Sequence, residues 1–463
     1  MRYSVITSRS ILRMRLEETI RHALILFVLF LSAVPSAAQQ TTGVYVANQG
    51  NFSDNNGSVT FYDPATGEAA EVLADFGTLV QSITLFEGKG YVMSNTSGAV
   101  EVLDLSTQQR IAQIAAVSSP RYMTVADASK AYVSNLFDGT ITMINLTDRL
   151  VLGTVTVGTN PEDIAVVGAR VYVANSGFGN DSTLTVIDAQ ADTVLATLDL
   201  GCDGPRHLEV DADGEVWAFC IGNTIYNDDF TQIIAQTNGA VVVLNGATGE
   251  IVTRFDLDFQ VGASSLGQDT YFAAASDEVF LVHGTDLLVF DTATNTQQDT
   301  ITLSGEEGVG GVAYDAAAQR FYAARIIDFT TTGFVSVHSR DGQEVTRFEA
   351  GIAPAHIALL QTGVDTAVEQ TAAAVPERFG LHANYPNPFN PTTRLPFDVT
   401  QTGPVTLTIY DAQGRLVATL VDAPMTPGRY EAVWDAGLLP SGIYLGRLET
   451  PGRVSTRRLV LLK

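Results

Sequence analysis

Charged and aromatic side chains recur at one kind of position in this sequence, one or two residues after a proline that begins an alternating apolar stretch. Carboxylates and imidazoles there could exchange protons near neutral pH, and guanidinium groups could hold an anion. The members are Arg121, Tyr122, Glu162, Asp163, Arg206, His207 and His356. Two interpretations are open: the set binds a polar ligand, or its members pair with one another as structural groups.

The sequence lacks the motifs of common enzymes. It has no G-x-S-x-G, no H-E-x-x-H and no phosphate-binding glycine loop. His283 and His338 fall on apolar stretches where the pattern offers them no partner. We therefore predict a protein that is not an enzyme and needs no cofactor.

A repeat of about forty residues must position these side chains. Each unit has a Tyr-Val segment ending in Asn, a Gly/Asn/Asp loop, two further alternating segments and then the proline-led segment. The clearest copies begin at GVYVAN (43–48), GYVMSN (90–95), AYVSN (131–135) and VYVAN (171–175), and weaker copies begin at 215, 278 and 320.

Alternating segments of four to seven residues predict short strands, which cannot bury their apolar faces alone. We therefore predict an all-β protein with a seven-bladed β-propeller over residues 39–360. The chain enters on the second strand of a unit and leaves on PAHIALL (354–360). Strand 354–360 should consequently pair with strand 43–48 and close the ring, which leaves no free sheet edge at the seam.

The loops at one end of such a propeller should converge around the channel together with the proline-led residues. They contain aromatic and acidic residues, and the longest insertion, 221–238, contains Tyr226 and Phe230. Long loops on rigid scaffolds often bind ligands, so these two residues join the candidate site. The Asp-rich turns at Asp54, Asp181 and Asp228 either bind Ca²⁺ or serve only to form turns.

Composition limits the location and the partners of the protein. Five Arg residues, a short apolar run and Pro-Ser-Ala-Ala before Gln39 predict a signal peptide over residues 1–38, with no membrane span after its removal. The net charge of −25 disfavours binding to nucleic acid. Cys202 and Cys220 either form a disulfide or remain free, because strand register decides their distance.

The last part of the chain reads as a separate module. Residues 361–376 have few large apolar residues and predict a linker. The stretch NYPNPFNPTT (384–393) then introduces five alternating segments, which predict a small immunoglobulin-like β-sandwich over residues 377–463. Its prolines keep the backbone extended on entry to the first strand.

The repeat resembles the YVTN-type propellers of surface-layer and secreted proteins. The resemblance rests on the patterns YV-(A/S)-N, T-x-x-V-I-D and V-G-x-x-P-x-x-(I/L)-A-V. It covers residues 43–360. The resemblance implies the fold and says little about function. Some related surface propellers capture corrinoids such as cobalamin, which gives one alternative ligand.

The C-terminal module resembles the sorting domain of type IX secretion cargo and the immunoglobulin-like domain of hook-capping proteins. This resemblance implies recognition by the type IX translocon and a secreted or cell-surface location. The residues assigned to the motif are Asn384, Pro386, Asn387, Pro388, Phe389, Asn390, Pro391, Gly442, Tyr444 and Lys463.

The function predicted from these features is binding, without catalysis, of a ligand or surface partner through the loop-rich face. The ligand class is open among small molecules, glycans and surface proteins. The alternatives are a structural or adhesive surface-layer protein, a corrinoid-capturing propeller and, with the least support, a propeller enzyme of the lyase or quinoprotein type.

Overall fold

The computed structural model describes residues 40–462 apart from 75–76, 212, 230, 262–271, 275–277, 306, 363–368, 373–377, 386, 390–391, 402, 412–414, 426, 437–438 and 440. The predicted signal peptide lies outside the described residues. The described fold is all-β, and its helical content is one 3-10 turn, Gly177–Gly179. The chain divides into two compact units: one is Gln40–Gln361, and the other takes in the chain from Thr362 onward.

The first unit contains, among its described residues, seven four-stranded antiparallel sheets that follow one another along the chain. The strands of sheets 1 to 3 are β1 (Gln40–Asn48), β2 (Ser58–Asp63), β3 (Glu68–Leu73); β4 (Val80–Phe86), β5 (Lys89–Ser94), β6 (Ala99–Asp104), β7 (Gln109–Ala115); and β8 (Pro120–Val125), β9 (Lys130–Asn135), β10 (Thr140–Asn145), β11 (Leu150–Thr156).

Sheets 4 to 7 repeat the pattern, and sheet 5 carries an extra hairpin, β18–β19. Their strands are β12 (Pro161–Val167), β13 (Arg170–Asn175), β14 (Thr183–Asp188), β15 (Thr193–Asp199); β16 (Pro205–Val210), β17 (Glu215–Cys220), β18 (Asn223–Tyr226), β19 (Ile233–Thr237), β20 (Ala240–Asn245), β21 (Ile251–Asp256); β22 (Phe272–Ala274), β23 (Glu278–His283), β24 (Asp286–Asp291), β25 (Thr296–Thr302); and β26 (Gly308–Asp315), β27 (Arg320–Ile326), β28 (Thr332–Ser339), β29 (Glu344–Ile352).

The fourth strand of sheet 1 comes from the far end of the unit. β30 (Pro354–Thr362) lies beside β1, which gives the strand order β3-β2-β1-β30. The Thr42 hydroxyl donates to the carbonyl of Leu360 at 3.2 Å, and the Gln49 N–H donates to Ala353 at 2.9 Å. One sheet therefore joins the beginning and the end of this unit.

The repeated Tyr connects one sheet to the next. It is fully or nearly fully buried on the second strand, and its hydroxyl reaches a backbone carbonyl in the following sheet. The pairs are Tyr45 with Leu105 at 3.4 Å, Tyr132 with Ala189 at 3.3 Å and Tyr172 with Gly246 at 2.9 Å. A buried ring with a satisfied hydroxyl gives both apolar burial and a directional contact.

The repeated Asn ends the same strand for a different reason. The Asn135 side-chain N–H group donates to the hydroxyls of Thr140 and Thr142 at 2.7 and 2.8 Å. Asn175 does the same with Thr183 and Thr185, both at 3.0 Å. These bonds satisfy a buried amide and fix the loop between the second and third strands.

Apolar side chains form seven clusters among the described residues of this unit, and each cluster lies between two consecutive sheets. The cluster that contains Val46 and Tyr62 of sheet 1 also contains Phe348 and Ala350 of sheet 7. The sheets therefore pack in chain order and sheet 7 packs on sheet 1, which is a propeller-like arrangement.

The second unit is a two-sheet β-sandwich. Its strands are β31 (Glu369–Ala372), β32 (Gly380–Leu381), β33 (Thr392–Val399), β34 (Gly403–Tyr410), β35 (Leu416–Met425), β36 (Gly428–Asp435), β37 (Gly442–Thr450) and β38 (Arg453–Leu461). The sheets have the orders β31-β36-β33-β32 and β35-β34-β37-β38 and enclose one apolar core. β31 falls within the predicted linker, so part of that segment is a strand of the sandwich.

The proline-rich stretch holds the last strand of the sandwich. The Phe389 N–H donates to Val460 at 2.9 Å, and the Leu462 N–H donates to Phe389 at 3.0 Å. The Asn387 side chain accepts from the Val460 N–H at 3.0 Å and donates to the Arg458 carbonyl at 3.3 Å. These bonds attach the module entrance to the end of β38.

The other predicted motif residues have varied settings. Asn384 is buried and donates to Thr393 at 2.8 Å, whereas Pro388 is exposed and follows a cis peptide bond. Gly442 begins β37, and Tyr444 packs edge-on against Trp434 at 5.3 Å. Pro386, Asn390, Pro391 and Lys463 lie outside the described residues.

Candidate functional site

The proline-led residues lie where the innermost strands begin. The residue before each proline has a left-handed backbone, with φ between 41° and 66° at Ser119, Asn160, Gly204 and Ala353. β8, β12 and β16 each contain a register shift just after the proline. A β-bulge re-aims side chains, so neighbouring residues on one strand both reach the site.

These strand starts share one end of the unit with two sets of loops. Pro161 pairs with Asn175, the residue at which the loop between the second and third strands begins, and Pro205 pairs likewise with Cys220. We call the loops between second and third strands, together with those leading into the innermost strands, the loop face. The proline-led residues and the loop face therefore occupy the same end of the unit.

An ion-pair chain, extended to sheet 2 by hydrogen bonds, links four consecutive sheets at this end. The Arg121 Nε group donates to Glu162 at 2.7 Å, and the Nε atom of Arg206 lies 3.5 Å from the same carboxylate. Arg121 also donates to the Gln81 side chain, and its carbonyl accepts from the Ser82 hydroxyl at 2.8 Å. Glu162 and Arg121 are almost fully buried, so their partners in the ion-pair chain take the place of water around both charges.

Asp163 and His207 form a second pair. The Nδ1 atom of His207 lies 3.7 Å from the Asp163 carboxylate, which also accepts from the Leu208 N–H at 3.2 Å and from its neighbour Ile164 at 2.8 Å. The Tyr122 ring is edge-on to His207 at 5.7 Å and to His356 at 6.3 Å. The structure therefore brings all seven proline-led residues into one polar cluster.

The cluster shifts the acidity of its members. Burial alone would raise the pKa of Glu162, but Arg121 and Arg206 outweigh it, so the pKa lies below its ordinary value. Burial lowers the pKa of His207 despite the nearby Asp163, and burial lowers the pKa of His356 to about 4. Both imidazoles are therefore neutral at pH 7.

The sequence pattern missed three members of the cluster. Gln81 and Ser82 start the innermost strand of sheet 2, which has no proline, although that strand shows the same register shift between Val80 and Ile83. Glu209 is half-buried on β16, and burial together with the nearby Asp163 carboxylate raises its pKa to about 8. A search for polar residues at the start of every inner strand, with or without a proline, would have identified Gln81 and Ser82.

Glu209→Gln should make the protein more stable at pH 8, by about 4 kcal/mol, and change its stability by less than about 1 kcal/mol at pH 5. The unfolded chain loses the Glu209 proton near its ordinary pKa of 4.5, while the folded protein keeps it up to about pH 8. The wild-type side chain therefore reduces stability as pH rises through this range, and Gln does not. Urea unfolding at both pH values measures the difference in stability, and Glu71→Gln, at an exposed position, is the control. A gain in stability that is the same at both pH values would contradict the prediction.

The prediction that His338 has no partner is wrong. It is buried, its Nε2 atom lies 2.8 Å from the Ser336 hydroxyl and 3.2 Å from Arg325, and its Nδ1 atom lies 2.9 Å from the Gly342 carbonyl. His283 stacks on Phe259 at 3.8 Å. Both residues have local structural roles away from the proline-led cluster.

Aromatic side chains project from the loop face. Phe52, Phe137 and Phe178 occupy the loops between second and third strands in sheets 1, 3 and 4 and are 77%, 66% and 54% exposed. Phe178 has a φ of 49° between two glycines, an unusual backbone for a bulky residue, and its ring lies 6.4 Å from that of Phe137. Tyr226 is exposed at the end of β18, and Phe230 lies outside the described residues.

The Asp-rich turns of this face are internally hydrogen-bonded. The Asp181 carboxylate accepts from the backbone and hydroxyl groups of both Thr159 and Thr183, at 2.7 to 3.0 Å. These bonds lower the pKa of Asp181 despite partial burial, and they join two loops. Within the described residues, no three His, Cys, Asp or Glu side chains are placed to hold one metal ion.

A disulfide lies beside this face. Cys202 and Cys220 are joined, with their Cα atoms 6.0 Å apart. Cys220 ends β17 opposite Pro205, and Cys202 lies in the loop that leads to that proline. The bond therefore ties the entry loop of sheet 5 to its second strand.

Comparison with protein families places the first unit. The family model described as Domain of unknown function (DUF5074) matches residues 42–334, well over half of the chain. The chain belongs to the DUF5074 family. A second model, the secretion system C-terminal sorting domain, matches residues 383–462. No curated protein has a matching sequence.

The sorting-domain match assigns the second unit of this DUF5074 protein to the type IX secretion system and the protein to the cell surface or the extracellular space. The prediction of a type IX sorting domain is confirmed. No helix in the described part of the chain is long and apolar enough to cross a membrane.

Solved structures match part of this chain at low sequence identity. Hydrazine synthase from Kuenenia stuttgartiensis matches with a TM-score of 0.51 and 16% identity, covering 61% of this chain and 95% of that one. A mitotic checkpoint complex chain (TM-score 0.47, 14% identity, 68% and 94% covered) and the designed protein Ika8 (0.46, 13%, 69% and 91%) also match. The likeness to hydrazine synthase concerns the fold alone.

Proposed function

We propose that this DUF5074 protein is a non-enzymatic recognition protein at the outer cell surface, built on a closed seven-bladed propeller of the YVTN type. It binds a surface partner through the loop face. The single observation that carries the proposal is the display of Phe52, Phe137 and Phe178 at equivalent positions on three sheets.

The sheet arrangement supports the closed ring. Apolar clusters lie between every two consecutive sheets and between the last sheet and the first. β30 beside β1 then completes the first blade with a strand from the opposite end of the unit. A ring of this kind fixes its loops on rigid strands, which suits a recognition surface.

The exposed rings support binding. Exposed large aromatic residues are unfavourable in water, and clustered ones mark contact sites. Phe178 adds backbone strain to its exposure, and strained residues concentrate at functional sites. Two neighbouring rings, Phe137 and Phe178, provide a continuous apolar contact.

The pairing within the polar cluster supports a role without catalysis. Glu162 is held between two guanidinium groups, and Asp163 accepts backbone N–H groups. A carboxylate used in this way is poorly suited to act as a general base. The cluster thus has a structural role: it holds the starts of the inner strands together and so fixes the spacing of the loops of the loop face.

A retention assay tests this function. The purified full chain should co-sediment with cell-envelope preparations of the producing organism. The triple variant Phe52→Ser, Phe137→Ser, Phe178→Ser should co-sediment at least ten-fold less than the wild type. Leu150→Ser with Leu152→Ser, exposed on the outer strand of sheet 3, is the matched control. Equal retention of the triple variant and the wild type would refute the proposed function.

A further inference from the structure

The hairpin β18–β19 is the part of the loop face that extends from the four-stranded sheets. It is inserted between the second and third strands of sheet 5 and forms a separate two-stranded sheet. A two-stranded hairpin is marginally stable in water on its own. Its persistence therefore depends on attachment at its base.

The base of the hairpin is firmly attached. The Gln260 side-chain amide donates to the carbonyls of Asn223 and Thr237 at 2.7 and 3.0 Å, and the Thr237 hydroxyl donates to Asp203 at 2.6 Å. Asn223 donates to the side chain of Asn180 at 3.2 Å. The Cys202–Cys220 disulfide lies immediately before the hairpin, so the hairpin projects in a fixed direction.

The rest of the hairpin is unusually apolar for its exposure. Ile225, Tyr226, Ile233 and Ile234 are between 42% and 64% exposed. All five residues of β19 are exposed, whereas Asn223 at the base of β18 is buried. β19 is thus the more exposed of the two strands, and an edge strand presents backbone donors and acceptors on its outer side.

Charge decides the kind of partner. The loop-face sequences contain no Lys or Arg, and the hairpin tip has Asp228 and Asp229. Lys89, Lys130 and Arg170 begin second strands at the opposite end of the sheets. A second copy of this chain would bring acidic tips together, so self-association through the hairpin is unfavourable.

We propose that β19 binds an extended segment of another surface or secreted protein, in which apolar and basic residues alternate, as a third strand of the hairpin. Backbone hydrogen bonds give the affinity, apolar side chains cover the isoleucines, and Lys or Arg pair with the acidic tip. This rests on the proposed binding role of the loop face and names its partner class.

A labelled alternating Lys-Val decapeptide is the probe. By fluorescence anisotropy it should bind the full chain at low salt and more weakly at high salt, while a Glu-Val decapeptide should not bind. Ile233→Ser with Ile234→Ser, and separately Asp228→Asn with Asp229→Asn, should each weaken binding at least ten-fold. N-methylation of alternate peptide nitrogens along one edge should also weaken binding, because strand addition uses those groups.

The controls separate this inference from the proposed function. Leu150→Ser with Leu152→Ser should leave peptide affinity unchanged, and unchanged unfolding midpoints should show that the hairpin variants remain folded. Equal affinity of hairpin variants and wild type, equal binding of the Glu-Val peptide, or insensitivity to N-methylation would each overturn the strand-addition proposal. If the phenylalanine triple variant still loses envelope retention, the proposed function stands and only the partner class falls.

Discussion

Replacing Glu162 with Ala should lower the free energy of unfolding of the first unit by about 3–5 kcal/mol. Arg121 and Arg206 would then face each other across the cluster without the carboxylate that lies between them. Removing one partner of a buried ion pair leaves the other charge desolvated, which costs far more than the pair contributes. The loss should be among the largest for any single substitution in this unit.

Urea unfolding followed by tryptophan fluorescence measures the effect, because Trp217 reports on the first unit and Trp434 on the second. Glu71→Ala, on an exposed outer strand, is the control and should change stability by less than about 0.5 kcal/mol. If the two substitutions cost the same, the ion-pair chain does not hold the inner strands together.

The ion pair also fixes the sign of a pH effect. The pKa of Glu162 is lowered in the folded protein, because Arg121 and Arg206 outweigh the effect of burial. The stability it contributes is therefore present above its ordinary pKa of 4.5 and is lost as pH falls further. In the alanine variant this acid-dependent loss should be smaller.

Phe389→Ala should destabilise the sandwich by about 3–5 kcal/mol and reduce export of the whole protein. The Phe389 ring is 2% exposed and lies 5.2 Å from the Trp434 ring, and its backbone bridges to Leu461. Loss of the ring leaves a cavity in the core that the motif closes. If the translocon recognises the folded sandwich, a smaller folded fraction should lead to less exported protein.

Separate unfolding transitions and the protein fraction outside the cell are the two readouts. The first unit should unfold as in the wild type, since the substituted residue belongs to the other unit. Leu462→Ser, an exposed residue beside the same strand end, should leave both readouts nearly unchanged, and Phe389→Leu should restore most export. Normal export of a destabilised Phe389→Ala protein would show that the folded core is not what the export machinery requires.

Much of the fold is readable from the sequence because each repeat position has one physical task. Tyr reaches the next sheet, Asn holds the following strand, and proline begins the inner strand. The last rule also located the polar cluster. The proline rule missed Gln81 because the inner strand of sheet 2 begins without a proline, although it has the same register shift.

The rest depends on distances that a sequence does not contain. The disulfide requires that Cys220 lie opposite Pro205, which follows from strand register. The charge state of Glu209 depends on its depth and on Asp163 from another sheet. One partner of His338 is a buried arginine, Arg325, whose side chain also donates to two carbonyls of the loop that leads into the innermost strand of sheet 7.

The strand shared between the two ends of the first unit has a consequence for biogenesis. Thr42 and Leu360, which meet there, are 318 residues apart in sequence. Contacts this distant form slowly, because the intervening chain must be ordered first. During synthesis and passage through the envelope, β1 stays an uncovered edge until almost all of the unit has emerged, so this seam sets the interval in which the nascent protein is most prone to aggregate.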